Sequence, residues 1–127
     1  MLELSALVKS VPFKLTESDN SVVELIATEY TVGDQLEMAK VMQTFGMLDP
    51  EDPDIAIKLT RVGFARVMFS VKNKETGDYY WSDVNAWKKY PDGLIKQIVN
   101  VVNELNPMQE LDPDSEDTAL TQKKSKS

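Results

Sequence analysis

IAIKLTRVGFARVMFSVKN, Ile55 to Asn73, is the run on which the architecture turns. Ile55, Leu59, Val62 and Phe69 fall on one helical face, and Ile57, Phe64, Met68 and Val71 fall on another. A helix apolar around that much of its circumference belongs at the centre of a domain or between subunits. Upstream, Asp52 stands as its N-cap and Pro53 as its first helical residue. Its far end is ambiguous. Residues 66–73, RVMFSVKN, fit either a continued helix or a strand, because a short β-branched run has no distinguishing period.

Working outward, VPFKLTESDNSVVELIA (11–27) reads as a β-hairpin. Pro12 opposes a helix, while Phe13, Leu15, Val23 and Leu25 alternate with polar neighbours around the turn formers Glu17 to Ser21. Thr31 then caps a helix with Asp34 at its third position. Val32, Leu36, Ala39, Met42 and Phe45 form its expected inward stripe, and Gly46 stops it. Beyond the central run, Asn73 to Asp78 is a turn leading into Tyr79-Tyr80-Trp81, where Tyr79 and Trp81 should face opposite to Tyr80 on a strand. Ser82 and Asp83 cap a short helix bearing Val84, Trp87 and Tyr90, which Pro91 breaks. The last helix runs to Leu105 with two stripes, Leu94, Ile98, Val101, Leu105 and Ile95, Val99, Val102. Asn106-Pro107 ends it. The class is α+β, mainly α with a small β component: an N-terminal hairpin, three to four helices and one domain over residues 1–107.

From Met108 the character changes. MQELDPDSEDTALTQKKSKS has no aromatic residue, scattered carboxylates and a terminal lysine cluster. Such a segment buries too little apolar surface to offset the entropy of ordering it, so 108–127 is expected to be a disordered acidic tail. Across all 127 residues the net charge is −7, and neither cysteine nor histidine occurs. That composition removes thiol chemistry, the commonest general base and the commonest transition-metal ligand. The acidity argues against a nucleic-acid groove. No basic leader and no apolar run of about 20 residues is present, so the expectation is a cytoplasmic protein without a membrane partner.

Candidate chemistry is sparse. Asp49, Glu51, Asp52 and Asp54 lie within six residues, yet the position a calcium loop reserves for glycine is Asp54 and the one it reserves for glutamate is Thr60. They read as a loop preceding a helix. Asp112, Asp114, Glu116 and Asp117 sit in the tail, and the glycines stand singly, forming no phosphate loop. No catalytic, cofactor or metal residue emerges, and the expectation is a protein that is not an enzyme and uses no cofactor. Tyr79, Tyr80, Trp81, Trp87 and Tyr90 cluster within twelve residues. A domain of this size needs aromatic bulk in its core, while tryptophan and tyrosine also dominate binding hot spots. The candidate partner or self-association surface is therefore Tyr80, Trp81, Trp87 and Tyr90 with the second stripe of the last helix, Ile95, Val99 and Val102.

The order of elements from Ile55 to Asn106 resembles the tail assembly chaperones of long-tailed bacteriophages. The likeness rests on the apolar helix, the turn NKETGDYYWSD and the Pro-led helix ending in NELN, with the hairpin and TVGDQLEMAKV similar to that family's N-terminal half. The resemblance implies a chaperone of the tape measure protein, working in the cytoplasm of the infected host and absent from the mature virion. It further implies a longer form, made by ribosomal frameshifting, that recruits the tail tube protein. Lys123-Lys124 is what an A-rich slippery site would encode. Two other readings stand beside it, a structural or adaptor subunit of a phage particle or secretion machine, and an acidic DNA-mimic inhibitor. Deleting Met108 to Ser127 should leave the thermal midpoint nearly unchanged; a large drop in calorimetry refutes the tail assignment.

Overall fold

The structure is a computed structural model that describes residues 1–107. Strands β1 (Ser10–Thr16) and β2 (Val22–Thr28) form the expected hairpin, and β3 (Val71–Asn73) pairs antiparallel with the far side of β2. In the hairpin Phe13 lies opposite Leu25 and Leu15 opposite Val23. Leu15 and Leu25 are buried, so the alternation places one face of the sheet on the core. The turn closes through the Glu17 N–H to Ser21 O at 2.8 Å, and Asp19 accepts from the Ser21 N–H at 2.9 Å. Asn20 takes the left-handed conformation, φ 71°, that asparagine tolerates better than most residues.

Helix α1 (Val32–Gln43) opens with a complete capping box. The Asp34 N–H donates to Thr31 Oγ1 at 3.1 Å and the Thr31 N–H donates to Asp34 Oδ2 at 3.0 Å. Of the stripe expected to face inward, Val32 and Leu36 are 75% and 61% exposed and Ala39 is also exposed, while Met42 and Phe45 are half-buried. Asp34, Met38 and Val41 point to the body instead, about half a turn away around the helix from Val32, Leu36 and Ala39.

Helix α2 (Ile55–Met68) begins later than expected. Asp52 is not its cap, because the helix starts at Ile55 with Asp54 before it and Pro53 stays in the preceding turn, where the Asp52 carboxylate accepts the Asp54 N–H at 2.8 Å and pairs with Lys58 Nζ at 2.5 Å. The first half of α2 is solvated, with Ile57 and Leu59 exposed, and only its C-terminal half is enclosed. The ambiguity over 66–73 resolves into both elements in turn: the helix ends at Met68, and after Phe69 and Ser70 the chain enters β3. Gly77, φ 78°, closes the following turn with its N–H on Asn73 O at 2.8 Å.

The short helix is a single 3-10 turn, Ala86–Lys89, and α3 spans Asp92–Leu105. Both stripes of α3 pack on the body. Ile98 and Val102 are buried, and Leu94, Ile95, Val99, Val101 and Leu105 pack around them. Of the second stripe Val102 is buried in the chain's own core while Ile95 and Val99 are half-buried, since α3 lies against both α2 and β2 and needs a wide apolar face. The described residues thus share one core, built on Leu15, Leu25, Phe64, Val67, Val71, Trp81, Ile98 and Val102. Ile98→Asp should abolish the cooperative unfolding transition, because an unpaired buried carboxylate costs a large part of a stability of about 5–15 kcal/mol; a normal denaturation curve contradicts this packing.

Candidate partner-binding surface

The aromatic segment is organised by one carboxylate in the hairpin turn. The Tyr80 and Tyr90 hydroxyls both donate to Glu17 Oε2, at 2.5 and 2.9 Å, and the Trp81 indole N–H donates to Tyr90 Oη at 3.0 Å. Trp81 packs on Phe64 with ring centroids 5.3 Å apart, flanked edge-on by Tyr80 and Tyr90. Burial pushes both phenols above their ordinary range, and the neighbouring Glu17 charge pushes them further. The expected alternation is absent. Tyr79 forms a lone bridge to Lys72, its ring meets Phe69 at 5.1 Å, and its hydroxyl bonds Asp34.

Of the residues proposed from sequence, Trp81 and Val102 are buried and present nothing to a partner. Their side chains fill the centre where the aromatic segment and α3 meet. Tyr80, Trp87, Tyr90, Ile95 and Val99 are half-buried and packed against the core. Trp87, Tyr90 and Ile95 come together in a shallow depression with Thr60, Lys88 and Asp92. Lys123 and Lys124, and the whole tail assignment, lie outside the described residues. Among the described residues no three acids converge as a metal-holding group. Asp49 and Asp52 instead bond the N–H groups of Glu51 and Asp54 within their own loop.

A second polar centre attaches α1. Asp34 is 4% exposed, and Lys72 Nζ reaches its Oδ2 at 3.1 Å while also donating to Thr28 Oγ1 at 3.2 Å. Burial alone raises the Asp34 pKa, but the Tyr79 hydroxyl, the Thr31 N–H and the Lys72 ammonium together outweigh it and hold the carboxyl below its ordinary 3.8. α1 sets Met38 and Val41 against the core, and the Asp34 contacts to Lys72 and Tyr79 fasten its first turn to the sheet and the aromatic segment.

What remains outside is apolar. Val32 and Leu36 on α1, Met47 and Leu48 in the following loop, and Ile57 and Leu59 on α2 are all exposed. Sequence reasoning placed the helix residues in the core. For α1 the signal that would have corrected it is the alternative set Asp34, Met38 and Val41 at helical spacing. No helix among the described residues is long and apolar enough to cross a membrane. Comparison with known proteins finds no family model, no curated protein and no solved structure that matches this chain.

Asp34→Asn should cost about 3 kcal/mol at neutral pH, since it leaves Lys72 largely buried without a counter-charge. Because the folded carboxyl titrates below its unfolded value, its contribution is complete above about pH 4 and disappears as the pH falls through the lower folded value. Urea titrations should therefore show a flatter acid limb in Asp34→Asn than in the parent. Superimposable limbs would sink the assignment.

Proposed function

We propose that this protein is a non-enzymatic assembly chaperone of a long-tailed bacteriophage, which binds the tape measure protein and keeps it soluble until the tail tube polymerises around it. One observation carries the reading: a chain with a closed core leaves Val32, Leu36, Met47, Leu48, Ile57 and Leu59 in water. On this reading the six belong to one client-binding surface, since a contiguous exposed apolar patch marks an interaction site. The apolar stripe of a helical client, laid across α1 and the first half of α2, would remove both apolar surfaces from water at once. The −7 charge would keep the loaded complex soluble and away from DNA.

On this reading no bond is made or broken, and no cofactor or metal takes part. The chaperone acts in the host cytoplasm and leaves before the virion matures. A frameshifted longer form, extending past Lys123-Lys124, would bring the tail tube protein to the loaded client.

Co-expression should raise the soluble fraction of the tape measure protein from the same phage several-fold. Leu36→Asp should lose most of that gain while its own thermal midpoint stays within a few degrees of the parent, because Leu36 already faces water. An unchanged client, or a Leu36→Asp variant as effective as the parent, counts against the proposal.

A further inference from the structure

The N-terminal arm has no place in the fold just described. Leu2, Leu4 and Leu7 are each more than 80% exposed, and no element covers them. Yet LELSALVK, Leu2 to Lys9, alternates in the strand period: Leu2, Leu4, Ala6 and Val8 on one side, with Glu3, Ser5 and Lys9 on the other beside Leu7. A strand pattern without a ladder belongs beside a free sheet edge.

β1 supplies that edge. The sheet order is β1-β2-β3, so one side of β1 is unpaired. The Glu17 N–H to Ser21 O and Glu29 N–H to Lys9 O bonds place the odd-numbered groups of β1 toward β2. Its even-numbered groups, Ser10, Pro12, Lys14 and Thr16, therefore face outward. Pro12 removes one donor, which blunts indiscriminate edge pairing and leaves Lys14 and Thr16 to bond an added strand. Beneath this part of the edge runs an apolar groove of about 200 Å³ between β1 and α3, lined by Phe13, Leu15, Leu94, Ile98 and Val101 with Gln97 and Lys14 at its rim.

The arm matches the groove in pattern and in charge. Phe13 and Leu15 point to the core side of the sheet and Lys14 to the other. On a strand laid alongside, Leu2 and Leu4 would enter the groove and Glu3 would stand on the outer face with Lys14. Lys14 forms no ion pair among the described residues, because the carboxylate opposite it, Glu24, pairs with Lys74 at 3.8 Å.

The chain's own arm cannot make this fit. Lys9 is held in register with Glu29 by two bonds, Lys9 N–H to Glu29 Oε1 at 2.8 Å and Glu29 N–H to Lys9 O at 2.9 Å. Even the tightest reversal, a two-residue turn at Leu7-Val8, would set Leu4 beside Val11, short of the groove, and bring only Leu2 to Phe13. We propose that the groove between β1 and α3 receives Leu2 and Leu4 of a second copy of this chain, two copies exchanging arms across a two-fold axis. This proposal is independent of the client-binding reading, since it uses neither α1 nor the first half of α2.

The chain is free of cysteine, which permits a direct test. Full-length protein should sediment as a dimer. Chains carrying Leu4→Cys mixed with chains carrying Val101→Cys should form a disulfide under mild oxidation. Leu4→Asp should weaken the dimer by about tenfold to a hundredfold, the loss expected for one buried leucine, with an unchanged circular dichroism spectrum. Glu3→Lys and Lys14→Glu should each weaken it by about two- to fivefold and together restore it. A parent protein that stays monomeric up to its solubility limit overturns the proposal. So does a Leu4→Asp dimer as tight as the parent, or a disulfide that forms only within a single doubly substituted chain, which would place the arm in its own groove.

Discussion

Enclosure of Phe64 to Val71 is the constraint around which the other elements are arranged. Seven of these eight consecutive residues are buried, across the end of a helix and the start of a strand. A backbone that changes hydrogen-bonding pattern out of water must satisfy its polar groups at the junction. Here the Ser70 N–H returns to Val67 O at 3.1 Å, and the Thr28 N–H donates to Ser70 O at 3.0 Å. The fully buried Ser70 hydroxyl donates to Thr28 O at 2.7 Å. One serine thereby fastens the helix end to β2, sets the register of β3, and brings Lys72 beneath α1.

Arg66, the one residue of the eight that is only half-buried, extends the same fastening to the end of the body. Its guanidinium donates to Asn103 Oδ1 at 3.2 Å and Asn106 O at 2.8 Å, and its own carbonyl accepts the Tyr30 hydroxyl at 2.7 Å. Asn106 closes the loop by accepting the Tyr30 N–H at 2.8 Å and donating to Thr28 O at 3.1 Å. The positive guanidinium also lies where α3 presents its unpaired carbonyls. With Glu17 at the hairpin and Asp34 at α1, three polar clasps hold the margins of a core too small to reach them. Each joins residues more than thirty positions apart.

That division explains what could be read from the residues and what could not. The hairpin, the Thr31 cap, the Gly77 turn and the span of α3 were legible, because each rests on a local rule: alternation, side-chain capping, left-handed backbone or helical period. The orientation of α1 was not. Its sequence offers two apolar faces, one with Met38 and Val41 and one with Val32, Leu36 and Ala39, and the choice between them is made by Asp34, which turns inward to meet Lys72 and Tyr79. Periodicity detects a stripe and cannot tell which long-range partner claims the helix. The aromatic segment failed for a related reason. Glu17, far upstream, captures both Tyr80 and Tyr90, so strand alternation never governs where those rings point. Burial accordingly differs from the reading at both ends, with Trp81 and Val102 in the core and Val32 and Leu36 exposed.

The emergence carries an energetic argument. Burying a leucine or valine side chain contributes about 1.5–3 kcal/mol. Turning Val32 and Leu36 outward therefore forgoes an amount comparable to a sizeable share of the whole stability of such a domain. A polar residue at either position would cost the monomer little and improve its solubility, so the folded monomer alone gives no reason for their chemistry. The charges nearby neutralise one another. Glu37 and Lys40 pair at 3.1 Å one turn along α1, and Lys58 pairs with Asp52 between Ile57 and Leu59. On the chaperone reading proposed above, these short-range, self-neutralised ion pairs would form the rim around apolar anchors. Such a rim would leave the surface open to an apolar client while offering no field that draws a polyanion.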